Sequence, residues 1–153
     1  MTIVSVLALW AGRLRLVELT YFWALTASLQ ALLTPNLTEN TAPIFVVTFF
    51  VTHGGAVVAA ILLVFGARIV PPPGAVWRVF GATLVVAAAA AVGNVVTGGN
   101  YMFLREKPST ASLLDVMGPW PVYIASAAVL ALGLFALLDL PLQVTRRRGR
   151  SRG

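Results

Sequence analysis

Apolar residues in this chain run in long blocks, and each block is closed by a charge, a proline or a glycine pair. The first block, Met1 to Trp10, stops short of Arg13 and Arg15. The second, Leu16 to Leu33, ends at Thr34-Pro35-Asn36, because proline disfavours helix in the residue before it. A third runs from Ile44 to Gly66 behind Pro43, a residue tolerated in a first helical turn. Arg68-Ile69-Val70-Pro71-Pro72-Pro73-Gly74 then makes a short, rigid, basic turn that cannot continue a helix. Trp77 to Thr97 follows, with small residues from Ala87 to Ala91 and at Gly93 that let neighbouring backbones approach. The last block runs from Pro119 to Leu142, with both prolines in a first turn where missing amide donors cost least.

At ~1.5 Å per residue a helix needs about 20 residues to cross a hydrocarbon core of ~30 Å. The pattern therefore predicts an all-α, polytopic transmembrane helix bundle with four full spans, over 16–33, 44–66, 77–97 and 119–142. A partial N-terminal helix over about 2–10 covers only about half of that thickness. Together these form one transmembrane domain over 1–145, followed by a basic tail over 146–153. The first run has no basic residues before it and no small-residue cleavage site after it, so it does not read as a signal peptide. It is either an interfacial stub or the remainder of a broken helix. The expectation is that the chain is incomplete at its start, and that the isolated product is unstable or oligomerises to cover unpaired polar faces.

Composition agrees: 59% of the 153 residues are hydrophobic and 10% charged, against about 25% charged in soluble domains. The chain holds 11 Lys and Arg against 5 Asp and Glu. Five of those cations sit in Arg146-Arg147-Arg148-Gly149-Arg150-Ser151-Arg152, beside an apolar span. That placement reads as a topology signal or an anionic-lipid contact, not as a nucleic-acid site. With no cysteine in the chain, disulfides, thiolate metal sites and Cys nucleophiles within it are excluded. No metal-ligand signature or phosphate loop is present, and no cofactor is expected.

Lys and Arg accumulate on the cytoplasmic side of a membrane. With the tail inside, the inner segments hold Arg13, Arg15, Arg68, Arg78 and the tail arginines, and the outer ones only Arg105 and Lys107. The C-terminus is therefore expected in the cytoplasm, in a multi-pass protein of the cell membrane, with the Pro35 to Ala42 and Gly98 to Gly118 loops outside.

That orientation gathers the unusual side chains toward one leaflet. Gln30 lies in the outer half of its helix, His53 about ten residues below the outer face, and Asn94 near the outer end of its helix, while Asn100, Tyr101 and Asp115 lie in the outer loop. Ionisable residues at membrane depth are costly and point to function. A loop of about 20 residues in a compact bundle favours a lid, a re-entrant segment or a binding loop. Plainer accounts stand beside each. His53 can simply make an interhelical hydrogen bond, and Gln30 and Asn94 can be interhelical glue. Trp10, Trp77, Trp120, Tyr101 and Tyr123 fit interfacial anchors, and Asp115 can satisfy loop amides.

A set of words occurs in order along the chain: Glu18-Leu19-Thr20-Tyr21-Phe22-Trp23, Gln30-Ala31-Leu32-Leu33-Thr34-Pro35, Phe49-Phe50 with His53-Gly54, Asn100-Tyr101-Met102-Phe103-Leu104, Lys107-Pro108, and Leu113-Leu114-Asp115 with Gly118-Pro119-Trp120-Pro121. Over Leu16 to Pro141 the chain resembles the bacterial YwaF-like integral membrane family, itself largely uncharacterised. That family is distantly similar to a eukaryotic membrane family that includes a phospholipid acyltransferase acting on ether lipids. The resemblance implies a histidine, falling here on His53, and an intramembrane cysteine in a Leu-Pro-Leu region upstream of the point where this chain begins. It places the outer-loop words on Asn100, Tyr101 and Asp115.

Two functions follow. In the first, a membrane-embedded acyl-transfer enzyme active in longer relatives, His53 is a general base, Asp115 joins it as a catalytic residue, the outer loop orients a lipid head group, and Gln30, Asn94, Asn100 and Tyr101 bind the ligand. In the second, favoured for this chain, it is a non-catalytic module that binds membrane lipids or a partner membrane protein, or forms a homo-oligomer. A transporter is weaker, since no internal repeat is present.

Overall fold

The structure, a computed structural model, describes residues 2–38 and 40–150, with side chains as far as Arg147. Its helices are α1 (Thr2–Ala11), α2 (Leu14–Leu33), α3 (Pro43–Gly66), α4 (Ala75–Thr97) and α5 (Val122–Arg150). No strand forms among the described residues. Four of these helices are long and apolar enough to cross a membrane, and α1 is the shorter N-terminal one. The all-α bundle read from the sequence is the architecture found.

α2 is the helix around which the others assemble. α1 and α3 pack on each other and on α2, and α4 and α5 pack on each other and on α2. Its polar residues explain why: a helix bearing Glu18, Thr20, Tyr21 and Ser28 cannot turn those positions to lipid, and all four are buried. Val17, Tyr21 and Phe22 meet Leu63 and Val64 of α3, Ala75 and Val79 of α4, and Phe135 and Leu142 of α5 in one core. The Phe22 and Phe135 rings meet edge to face, with centroids 5.4 Å apart. A second contact has buried alanines at its centre, Ala24 on Ala56 and Ala60, with Leu25 and Val57 packed against them; small side chains there let α2 and α3 approach closely.

Three polar bridges cross from α2 to the α4/α5 pair. The Trp23 indole donates to Thr83 Oγ1 at 2.8 Å, and the Tyr21 hydroxyl donates to the Leu138 carbonyl at 3.1 Å. The third is ionic. Arg78, in the first turn of α4, donates from Nε and Nη2 to the two carboxylate oxygens of Glu18 at 3.1 and 2.9 Å. Arg15 reaches the same carboxylate at 3.3 Å.

Two features depart from the sequence pattern. First, α2 is π-helical over Ala24–Ser28 and α3 over Leu62–Gly66. In α2 the Thr26 hydroxyl donates to the Phe22 carbonyl at 2.6 Å, a back-bond that competes with the regular ladder. Second, the last span is displaced from 119–142. Pro119 and Pro121 precede α5, their carbonyls accepting from the Tyr123 and Ile124 amides at 3.1 and 3.0 Å, so they supply acceptors to the first turn from outside it. At the other end α5 passes Pro141 and Leu142 and continues to Arg150. Arg146 holds it there, donating to both Asp139 oxygens at 2.8 and 3.3 Å and to the Pro71 carbonyl at 2.6 Å. Of the expected tail, residues 151–153 lie outside the described residues.

The two loops between α2 and α3 and between α4 and α5 lie at one end of the bundle, where the Ser109 and Thr110 hydroxyls both donate to Asn36 Oδ1. The Glu18–Arg78 and Asp139–Arg146 pairs lie at the other.

Candidate functional site

The C-terminal end of α4 sets up a hydrogen-bonded network of side chains and loop backbone. Gly98 ends the helix in the left-handed region, at φ 71°, which glycine adopts without steric cost. The chain then folds back over the helix end. Asn94, 1% exposed on the last turns of α4, receives the Tyr101 amide on Oδ1 at 2.5 Å and donates from Nδ2 to the Tyr101 carbonyl at 3.1 Å. One side-chain amide thus satisfies both main-chain groups of a residue seven positions on. The Tyr101 ring lies against Gly93 and Gly99, where a methyl group added at Gly99 would stand 3.0 Å from the ring. A larger residue at Gly99 would require the Tyr101 ring or the Thr97 hydroxyl to shift.

Asn100 repeats the device one step later. Its Oδ1 receives the Arg105 and Glu106 amides at 3.0 and 3.2 Å, and its Nδ2 donates to the Glu106 carbonyl at 2.8 Å. Two consecutive residues inside this fold, Met102 and Phe103, sit at φ 57° and 54°, a left-handed backbone that costs ~1–2 kcal/mol per residue. Such conformations persist where surrounding contacts over-determine them. The Tyr123 hydroxyl donates to the Phe103 carbonyl at 2.5 Å and the Trp120 indole to the Leu104 carbonyl at 3.1 Å. Tyr123 lies in the first turn of α5 and Trp120 just before it, so the clamp also joins α4 to α5.

Beside the clamp, a groove of about 400 Å³ is lined by Ala91, Asn94 and Val95 of α4 with Leu104 and Arg105 of the loop. Its walls are apolar and its rim carries one guanidinium. A second groove, of about 520 Å³, lies between α4 and α5 toward the other end, lined mainly by Val76, Trp77, Val129, Leu132, Gly133 and Ala136, with Asp139 and Gln143 at its edge.

Of the residues singled out from the sequence, the structure brings together Asn94, Asn100 and Tyr101. Asp115 lies further along the same loop, where its carboxylate receives the Ser112 amide at 2.7 Å and closes a single 3₁₀ turn over Leu113–Val116. Lys107 links it to the clamp, its ammonium 3.4 Å from the Asp115 carbonyl and 5.6 Å above the centre of the Tyr123 ring. Gln30 donates to Thr34 Oγ1 at 2.8 Å at the end of its own helix.

His53 stands apart. It lies on α3, in the other helix pair, where its Nδ1 donates to the Phe49 carbonyl at 2.8 Å and its ring lies 4.3 Å from the Phe49 ring. Its hydrogen bond is therefore within its own helix. Among the described residues no three His, Asp or Glu side chains gather as metal ligands.

Sequence reasoning passed over the partners of the clamp and the two ion pairs. The signals were present: Glu18 and Asp139 are acids inside apolar spans, and such residues pair with one another or with backbone carbonyls. Tyr123 and Trp120 read as interfacial anchors, and their polar ends turn out to fasten the loop.

No curated protein and no solved structure matches this chain. A family model matches it over residues 1–139, which takes in α1 to α4 whole and α5 as far as Asp139. On that match the chain belongs to the TMEM164 family, a family of transmembrane proteins.

Proposed function

We propose that the chain is a non-catalytic lipid-binding module of the cell membrane, with its binding site at the clamped loop end and its C-terminus in the cytoplasm. One observation carries this reading: the groove at the end of α4 has mainly apolar walls, and its polar side chain Asn94 is buried and engaged at both ends in holding the loop. Side chains used in that way shape a surface and do no chemistry. The orientation rests on the distribution of arginines. A partner membrane protein or a second copy of the chain is the other occupant its exposed apolar faces would accept.

Acyl transfer with His53 as base remains a property to seek in longer relatives. It draws on the resemblance to the YwaF-like family, and no contact described for His53 reaches the clamp.

The test is lipid retention. The protein purified in mild detergent should carry lipid that native mass spectrometry detects. Replacing Val95, whose side chain is exposed on the groove wall, by Trp should displace that lipid without unfolding the bundle. A His53→Ala variant should retain as much lipid as the parent. A parent protein that leaves detergent free of lipid, or a V95W variant that retains it in full, would refute the reading.

A further inference from the structure

Arg105 differs from the other well-placed arginines of the bundle. Arg15, Arg78 and Arg146 each face a carboxylate at 2.8 to 3.3 Å. Arg105 forms no ion pair among the described residues. Its Nη1 lies 3.4 and 3.5 Å from the Asn94 and Gly99 carbonyls, at the outer limit of hydrogen bonding, where about 2.9 Å is usual. Its Nε and Nη2 have no protein partner among the described residues.

Its backbone, in contrast, is tightly fixed. The Arg105 amide is held by Asn100, the next amide by the same oxygen, and the preceding carbonyl by Trp120. The side chain therefore projects from a rigid mount onto the rim of the groove lined by Ala91, Asn94, Val95 and Leu104. Asn94 is 1% exposed and turns both ends of its amide to the Tyr101 main chain, so it presents little to a ligand there. The exposed polar capacity of the groove is mainly that of the Arg105 guanidinium.

A ligand complementary to that surface has acceptor oxygens bearing negative charge at one end and a hydrocarbon portion at the other. The carbonyls at the end of α4 would repel an anion, since a helix C-terminus carries partial negative charge, so the anion must sit on the far side of the guanidinium from them. We infer that Arg105 binds the phosphodiester of a membrane phospholipid from the leaflet at the loop end, with an acyl chain lying along Ala91 and Val95. A planar guanidinium matches two phosphate oxygens at once, a geometry that an ammonium cannot reproduce. This deepens the lipid-binding reading and rests on it.

The experiment compares three lipids on the purified protein by native mass spectrometry: phosphatidylglycerol, diacylglycerol with the same chains, and the free fatty acid. The parent should prefer phosphatidylglycerol over diacylglycerol by about tenfold or more, as expected for charge-assisted hydrogen bonds. Arg105→Gln should erase that preference while leaving diacylglycerol retention unchanged, and Arg105→Lys should keep part of it. Thermal midpoints measured alongside should agree between parent and R105Q, since the two hydrogen bonds lost are long ones. A parent protein that binds phosphatidylglycerol and diacylglycerol equally, or the fatty acid best, overturns the phosphate assignment and leaves lipid binding intact. That comparison needs no variant, so it stands even if R105Q fails to fold. A parent that retains none of the three overturns both readings.

Discussion

Arg78→Met tests whether the ionic bridge between α2 and α4 holds the bundle together. The Glu18 side chain is 2% exposed, whereas Arg78 is 34% and Arg15 69% exposed. Removing Arg78 takes away the two-point contact at 2.9 and 3.1 Å and leaves the carboxylate with Arg15 alone, at 3.3 Å. Breaking a buried pair on one side costs about 3–5 kcal/mol because the other charge stays buried. Arg15 still neutralises part of it, so the expected loss is about 3 kcal/mol. Glu18→Met is milder, about 1–2 kcal/mol, because Arg78 keeps its bond to the Pro73 carbonyl at 3.1 Å and water at its exposed face. The double variant, with neither charge, should be more stable than R78M alone. Reversible unfolding in mixed micelles, followed by the fluorescence of the four tryptophans, gives all three values. If R78M lies within ~0.5 kcal/mol of the parent, or if the two losses simply add, the pair is not coupled and the argument fails.

The other predictions concern the loop end, the buried hydroxyls and topology. Gly99→Val should push the Tyr101 ring off α4, lowering the thermal midpoint and exposing the clamp to protease between residues 99 and 106; an unchanged cleavage pattern would mean that the ring is not held there. Thr20 and Ser28 each bury a hydroxyl without a partner among the described residues, so Thr20→Val and Ser28→Ala should leave stability unchanged or raise it by up to about 1–2 kcal/mol. A loss in either would reveal a partner such as a bound water. A reporter active only in the cytoplasm and fused after residue 153 should be active, and a cysteine introduced at Ser109 should react with an impermeant reagent added to intact cells; the reverse pattern in both would invert the assigned orientation.

The helices were legible because their cause is local. A block of apolar residues, a proline behind it and a length of about 20 residues suffice to specify a span, and α3 ends where the sequence placed it. The clamp was legible only in part. Asn94, Asn100 and Tyr101 stood out as polar residues near one end, but that Asn94 bonds the main chain of Tyr101 depends on a left-handed turn that no periodicity encodes. Grouping His53 with these residues toward one leaflet stated their depth in the membrane. Depth fixes one coordinate; position around the bundle is fixed by packing, and α2 is the element common to the helix pairs that carry His53 and Asn94. The displaced ends of α5 have a similar origin, since Arg146 extends the helix through contacts with a loop 75 residues away in sequence.

The two ends of the bundle are fastened by different chemistry, and this has a consequence for charge. At the end away from the loops, Glu18 and Asp139 pair with Arg78, Arg15 and Arg146, while the exposed Arg13, Arg68 and Arg147 form no ion pair among the described residues. At the loop end the fastening is done by neutral groups, two asparagine amides, a tyrosine hydroxyl and an indole. The carboxylate of Asp115 serves its own turn. Arg105 and Lys107 are left without an ionic partner among the described residues. At the boundary of a membrane, a guanidinium fixed beside an apolar groove and unpaired within its own protein is complemented by water or by the lipid next to it. The rigid backbone under Arg105 fixes the point from which its side chain reaches the groove. A donor mounted on such a backbone has only its own rotamers left to order, which lowers the cost of meeting a phosphate relative to a donor on a mobile loop.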